Sequence, residues 1–148
     1  MVLILMIIWG DIMTDDMYLR KSKQIAGFLY EGLEMGYTLN DAWKLLLNSK
    51  EGTGILKEEV DFIYKHTGRA CAMYADIEHG KEYKKRKREV NIVLSQIINL
   101  GRFIEFVHLE YGLDYDKIFT KCSIEYFYKE THVCLGNYDS RLAEKYIL

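Results

Sequence analysis

The feature that most constrains this chain is an absence: 148 residues contain no proline. Each interior proline costs a helix about 3 kcal/mol, and all-β folds generally place several in their turns. A chain without any can be helical from end to end. Leu, Glu, Lys, Ala and Met recur in it, all good helix formers. Twelve tyrosines lean mildly towards strand, but at helical spacing tyrosines cover the rim of a core and leave their hydroxyls in water. The expected fold class is all-α, a helical bundle of about seven or eight helices. The length suits one domain, or two small halves sharing a core.

Hydrophobic periodicity places the elements. Thr14 or Asp15 can cap a first helix to about Met35, with Ile25, Phe28, Leu29 and Leu33 on one face. Gly36 suits the left-handed residue beyond its end. Thr38 with Asp41 three residues on resembles a capping box, and the helix it opens turns Trp43, Leu46 and Leu47 inward. Residues 51–54 (Glu-Gly-Thr-Gly) read as a loop. Helices are expected over 56–66 and 70–79, broken at Thr67-Gly68 and stopped by Gly80. One long helix over 82–111 would span about 45 Å at 1.5 Å per residue and form the centre of the bundle. Its stripe is Val90, Val93, Leu94, Ile97, Ile104, Val107 and Tyr111, with Gly101 marking a close contact or a kink. After Gly112, Asp114 can cap a helix to about Cys122. Helices over 124–133 and 139–147, separated by a turn at Gly136-Asn137, end the chain.

Leu33-Glu34-Met35-Gly36-Tyr37-Thr38-Leu39-Asn40 has a counterpart in Leu109-Glu110-Tyr111-Gly112-Leu113-Asp114-Tyr115-Asp116, with Trp43 matched by Phe119. Each copy reads as a helix end, a glycine, a cap and a helix carrying an aromatic. The expected organisation is therefore an apolar segment over 1–12, a first repeat over 13–80 and a second over 81–148, packed as one globular unit. The segment Met1 to Trp9 is wholly apolar. It is too short to span a bilayer and lacks the basic start and small cleavage-site residues of a signal peptide. Three readings stay open for it: a buried strand or helix turn, a segment covering a partner surface, or a start-site artefact over 1–12, since Met13-Thr14-Asp15-Asp16 reads as an alternative natural start. No membrane association is expected.

The run 81–88 holds six basic residues and one Glu, a local +5 against a chain total of −2, so the remainder carries −7. A basic spot on an acidic chain is not a general nucleic-acid surface. Cys71, Cys122 and Cys134 are odd in number and scattered, which is no disulfide framework and points to a reducing cytoplasm. His66, Cys71 and His79, or Cys122, His132 and Cys134, lack the close paired spacing of zinc ligands. Glu58, Glu59 and Asp61 read as a solvated face. No nucleophile elbow or phosphate loop occurs. No cofactor and no metal are expected.

Ala42-Trp43 running into Asn48-Ser49, then residues 61–67 (Asp-Phe-Ile-Tyr-Lys-His-Thr), then Tyr74-Ala75-Asp76-Ile77 resemble an uncharacterised family of short all-helical bacterial domains. A more distant second copy is carried by residues 121–124 (Lys-Cys-Ser-Ile) and 143–147 (Ala-Glu-Lys-Tyr-Ile), with the His-Thr step reversed to Thr131-His132. Such domains are often encoded beside ADP-ribosyltransferase-like toxins, so the resemblance implies an antitoxin or accessory role and a toxin-like enzyme as partner. It also singles out His66-Thr67, which could grip a partner or act as a base, but which better suits a helix end.

The expected function is a non-enzymatic protein-interaction module with Trp43, His66, Thr67, Tyr74 and Tyr83 at the partner contact, since Tyr and Trp dominate binding hot spots. The alternative is a small nucleic-acid-binding regulator using Lys81, Lys84, Lys85, Arg86, Lys87 and Arg88, with Tyr83 to stack on a base.

Overall fold

The structure is a computed structural model that describes residues 4–57, 67–86, 92–130 and 136–148, with the backbone alone described for 4–17 and 136–138. Among the described residues every regular element is helical. The α-helices are α1 (Ile4–Glu34), α2 (Leu39–Asn48), α3 (Lys50–Leu56), α4 (Gly68–His79), α5 (Leu94–Tyr111), α6 (Ile124–Glu130) and α7 (Gly136–Tyr146). Single 3-10 turns lie at Gly80–Glu82 and Tyr115–Lys117.

The core forms where α1 meets α5. Ile25, Phe28 and Leu29 from α1 and Ile97, Leu100, Phe103, Ile104 and Val107 from α5 are fully buried, the heptad-like spacing that gives each helix one apolar stripe. Gly101 is the point of closest approach: a Cβ there would press into the Ser22 carbonyl and the Ala26 side chain. The close contact expected from the sequence is thus present. Gly112 ends α5 at φ 66° and Gly36 follows α1 at φ 98°, both left-handed as expected. At Gly36 the amide donates to the Leu33 carbonyl and the Tyr37 amide to the Gly32 carbonyl, a Schellman arrangement that satisfies the last turn of α1.

Thr38 caps α2 and accepts from the Asp41 amide at 3.1 Å. Trp43 and Leu46 are buried on α2, and Leu47 is half-buried. Trp43 stacks edge-on against Phe119 at 5.4 Å, Phe119 meets Phe127, and Phe127 lies parallel to Phe103. These rings join α2, α5, α6 and the 115–123 turns into the same hydrophobic core.

Several boundaries differ from expectation. Helix α1 does not begin at Thr14 or Asp15 but runs from Ile4, because a capping residue starts a helix only where the residues before it are not already helical. Residues 51–54 are helix rather than loop. Ser49 closes α2 through its amide and opens α3 by accepting from the Gly52 amide at 2.9 Å, and Gly52 lets α3 lie against the Leu46 carbonyl, where a Cβ would overlap.

The long helix over 82–111 is also corrected. Among its described residues the α-helix runs from Leu94 to Tyr111, Tyr83 and Val93 are extended, and Val93 and Leu94 are exposed rather than buried. Cations at 81 and 84–86 would repel one another at i, i+3 spacing and sit against the positive end of the helix dipole. Among the described residues the longest helix is α1. After Gly112, Asp114 makes no side-chain cap bond and only a 3-10 turn forms, and Gly136 lies inside α7 rather than in a turn. Of the helix expected over 56–66, Leu56 instead ends α3 and residues 58–66 lie outside the described residues. No helix among the described residues is long and apolar enough to cross a membrane.

Candidate functional site

Helix α4 carries the residues that the sequence pointed to most densely. Thr67 caps it and accepts from the Ala70 amide at 3.1 Å. Gly68, Cys71, Ala72 and Ala75 form its buried side. These small residues let α4 lie close on α1, where the Gly68 amide donates to the Gln24 side chain. At 100° per residue the opposite side presents Met73, Tyr74 and Ile77 within an arc of roughly 100°, and they are 55, 59 and 77% exposed.

The next segment is a short strap over the α1–α2 turn. Tyr83 packs edge-on against Tyr37 at 5.6 Å, and the Arg86 amide donates to the Gly36 carbonyl at 2.7 Å. Asp76 on α4 accepts from the Tyr37 hydroxyl at 2.5 Å and pairs with Lys85 at 2.7 Å. Burial, reinforced by the bond to Asp76, pushes the Tyr37 hydroxyl well above its usual range. Burial also works against ionisation of Asp76, but the bonds from Lys85 and Tyr37 outweigh it and hold that carboxyl below its ordinary value.

Beyond the strap lies a cleft of about 590 Å3, lined by Leu33, Thr38, Leu39, Asn40, Arg86, Ile92, Glu125, Tyr128 and Lys129. A second, more open hollow of about 340 Å3 is bordered by His108, Asp114, Tyr115 and Asp116 among others. Behind it, Lys21 and Glu105 are each 1% exposed and lie 3.7 Å apart. Tyr115 donates to Glu105, lies under the Lys21 ammonium at 4.9 Å, and stacks on His108. The His108 Nδ1 sits 2.7 Å from the Leu113 carbonyl, which as an N–H donor would leave Nε2 as the acceptor nitrogen.

The sequence-selected residues therefore separate. Trp43 is 4% exposed, so it is core and not a partner contact: its indole is needed to join α2 to the aromatic cluster. Tyr74 is on the surface, Thr67 is an exposed cap, and Tyr83 is half-buried on Tyr37. Lys81, Lys84, Lys85 and Arg86 are exposed. His66, Lys87 and Arg88 lie outside the described residues. Cys71 is buried, and burial together with nearby Glu51 pushes its thiol up to about 11, leaving it protonated and a poor nucleophile at neutral pH. No group of three or more metal-binding side chains gathers among the described residues.

The sequence reading missed the Tyr37–Asp76–Lys85 latch, although all three residues lie in segments it had marked. It also missed Lys21 and Glu105. The available signal was their register: Lys21 shares the stripe of Ile25, Phe28 and Leu29, and Glu105 that of Ile97 and Gly101. No family model, no curated protein and no solved structure matches the chain.

Proposed function

We propose that this chain is a protein-interaction module, acting by binding rather than catalysis, with its contact surface centred on the outer face of α4. The observation that carries this reading is the stripe of Met73, Tyr74 and Ile77 standing in solvent. Covering a large apolar side chain gains about 1.5–3 kcal/mol, and contiguous exposed apolar residues mark association surfaces. Thr67 at one end of the helix and Tyr83 just past the other bracket the stripe.

The narrower reading, an antitoxin or accessory partner of an ADP-ribosyltransferase-like toxin, rests on the family resemblance. Cross-linking and affinity capture from the native host, and against the neighbouring gene's product, tests both. The double variant Met73→Asp/Ile77→Asp should fold normally and lose the partner. Undiminished capture by that variant would rule out this face, and capture of no protein by the wild-type chain would sink the module reading.

Exposure of Lys81, Lys84, Lys85 and Arg86 supports the second reading, a nucleic-acid contact, though Lys85 is already engaged by Asp76. A low-salt gel shift unchanged by neutralising Lys81, Lys84 and Arg86 would dismiss it.

A further inference from the structure

We propose that Tyr126 on α6 and Tyr146 at the end of α7 form an oxidative modification site, at which a one-electron oxidant such as a peroxide-activated haem joins the two helices through a dityrosine bond. The ring centroids lie 4.8 Å apart at 57°, and the Tyr126 hydroxyl donates to the Tyr146 oxygen. The first contact brings the bodies of the rings together and the second their tips. The carbon ortho to each hydroxyl lies between body and tip, so each ring offers the other an ortho carbon at contact range. Both rings rest on Phe127, at 5.5 and 6.2 Å between centroids, and Phe127 is fully buried. Both tyrosines are half-buried, so an electron leaves the pair without crossing the core. Tyr37 and Tyr83 make the contrast. Their centroids are 5.6 Å apart, but the Tyr37 hydroxyl is committed to Asp76. The pair shares no residue with the α4 face and stands apart from the proposed protein contact.

Tyr146 is the ring that gives up its electron first. Its oxygen accepts from the Tyr126 hydroxyl and from the Lys145 ammonium, which also lies 5.2 Å from the ring centroid. These bonds hold its hydroxyl below the ordinary tyrosine range, whereas the bond to Tyr146, reinforced by burial, holds Tyr126 above it. Glu130 opposes ionisation of both rings and Cys122 that of Tyr126, but at Tyr146 the two donors outweigh this. A phenolate loses an electron more readily than a phenol. Each ring in turn gives one electron to the oxidant and its phenolic proton to solvent. The two tyrosyl radicals join at their ortho carbons, and the two ortho hydrogens pass to the oxygens, restoring both phenols. In total one carbon–carbon bond forms, two electrons reduce two equivalents of the oxidant, and two protons leave. The new bond closes a loop of about twenty residues between 126 and 146 and restricts the unfolded chain as a cross-link does.

The test uses the full chain at micromolar concentration, with tris(bipyridine)ruthenium(III), generated by light and persulfate, as the oxidant. Mass spectrometry should find a monomer lighter by two hydrogens, with Tyr126 joined to Tyr146 on peptide mapping and dityrosine fluorescence alongside. The product should melt at a higher temperature than the untreated chain. Tyr126→Phe and Tyr146→Phe should each abolish the intrachain link, with helical content retained. Lys145→Met changes an exposed side chain and should move the rise in coupling rate to higher pH, a shift that a merely structural role would not produce. Cys122→Ser, which removes a nearby thiol able to compete for the radical, should keep the link. Three results would overturn the proposal: no intrachain dityrosine, or dityrosine only between chains and lost on dilution; a link mapped mainly to Tyr37 and Tyr83; or a yield unchanged in both phenylalanine variants.

Discussion

Lys21 is among the largest side chains fully withdrawn from solvent, and its ammonium has Glu105 at 3.7 Å and the Tyr115 ring at 4.9 Å. A buried pair of this kind contributes little net stability when compared with apolar residues of the same volume, but removing one partner strands the other charge. Lys21→Met or Glu105→Gln alone should therefore cost about 3–5 kcal/mol, while Lys21→Met/Glu105→Leu together should recover most of that loss. Denaturant unfolding of the cycle checks this, and single losses below about 1 kcal/mol would show the pair to be solvated in solution. Two aspartates carry opposite pH signatures. Asp76 titrates below its unfolded value of 3.8, so its contribution is complete above that value and is lost as pH falls through the lower folded value. The advantage of wild type over Asp76→Asn should shrink on acidification. Asp139 is 3% exposed, and burial raises its carboxyl despite Arg102 at 3.6 Å. Its ionised form is a cost present above the raised folded value and relieved as pH falls towards 3.8. Asp139→Asn should then compare best with wild type near neutrality and lose ground in acid. Melting temperatures across pH 3–7 would separate the two, and parallel curves would refute the assignment.

At the scale of elements, the two glycines show where sequence reading succeeds and where it stops. Gly36 and Gly112 were legible because a helix end needs a left-handed residue, a local requirement. The segments beyond them were not. Thr38 finds the Asp41 amide and a helix continues, whereas Asp114 makes no side-chain cap bond and the chain settles into turns. The basic run misled in the same way. The apolar positions that follow it keep helical period, but the strap is held by Asp76, Tyr37 and Gly36, partners up to fifty residues away that no local pattern reveals. The lining of the cleft is equally non-local. Gly36 and Gly112 should also differ in tolerance. Alanine at either takes the left-handed penalty of about 1–2 kcal/mol, but at Gly36 its Cβ would also overlap the Arg86 carbonyl, while at Gly112 it would meet nothing within 4 Å. Gly36→Ala should thus be the more damaging and should loosen the strap, visible as faster amide exchange at Arg86. Equal losses at the two sites would mean that the strap does not rest on Gly36.

The whole molecule is where the two proposed halves must be reconciled with a single core. The boundary at residue 80 puts α1 and α4 on one side and α5, α6 and α7 on the other, yet the principal stripe of α1 faces that of α5 across it. Ile25, Phe28 and Leu29 belong to the same buried cluster as Ile97, Phe103 and Ile104. Trp43 of the first half completes its packing on Phe119 of the second, and Lys21 has its charge partner in Glu105. Separating the halves would expose both stripes and strand both charges. A chain of about seventy residues has little margin to absorb such a loss, since a core of that size rarely supplies more than about 3–5 kcal/mol. Fragments 13–80 and 81–148, expressed alone, should therefore lack a cooperative melt and dispersed amide spectra. The intact chain should unfold in one transition, with tryptophan fluorescence and far-ultraviolet dichroism coinciding. Mixing the fragments should restore part of the helical signal, because the surfaces they lose are complementary to each other. Two resolved transitions in the intact chain, or a fragment that melts cooperatively by itself, would make the halves independent domains and would move the Lys21–Glu105 pair from the centre of one core to the interface between two.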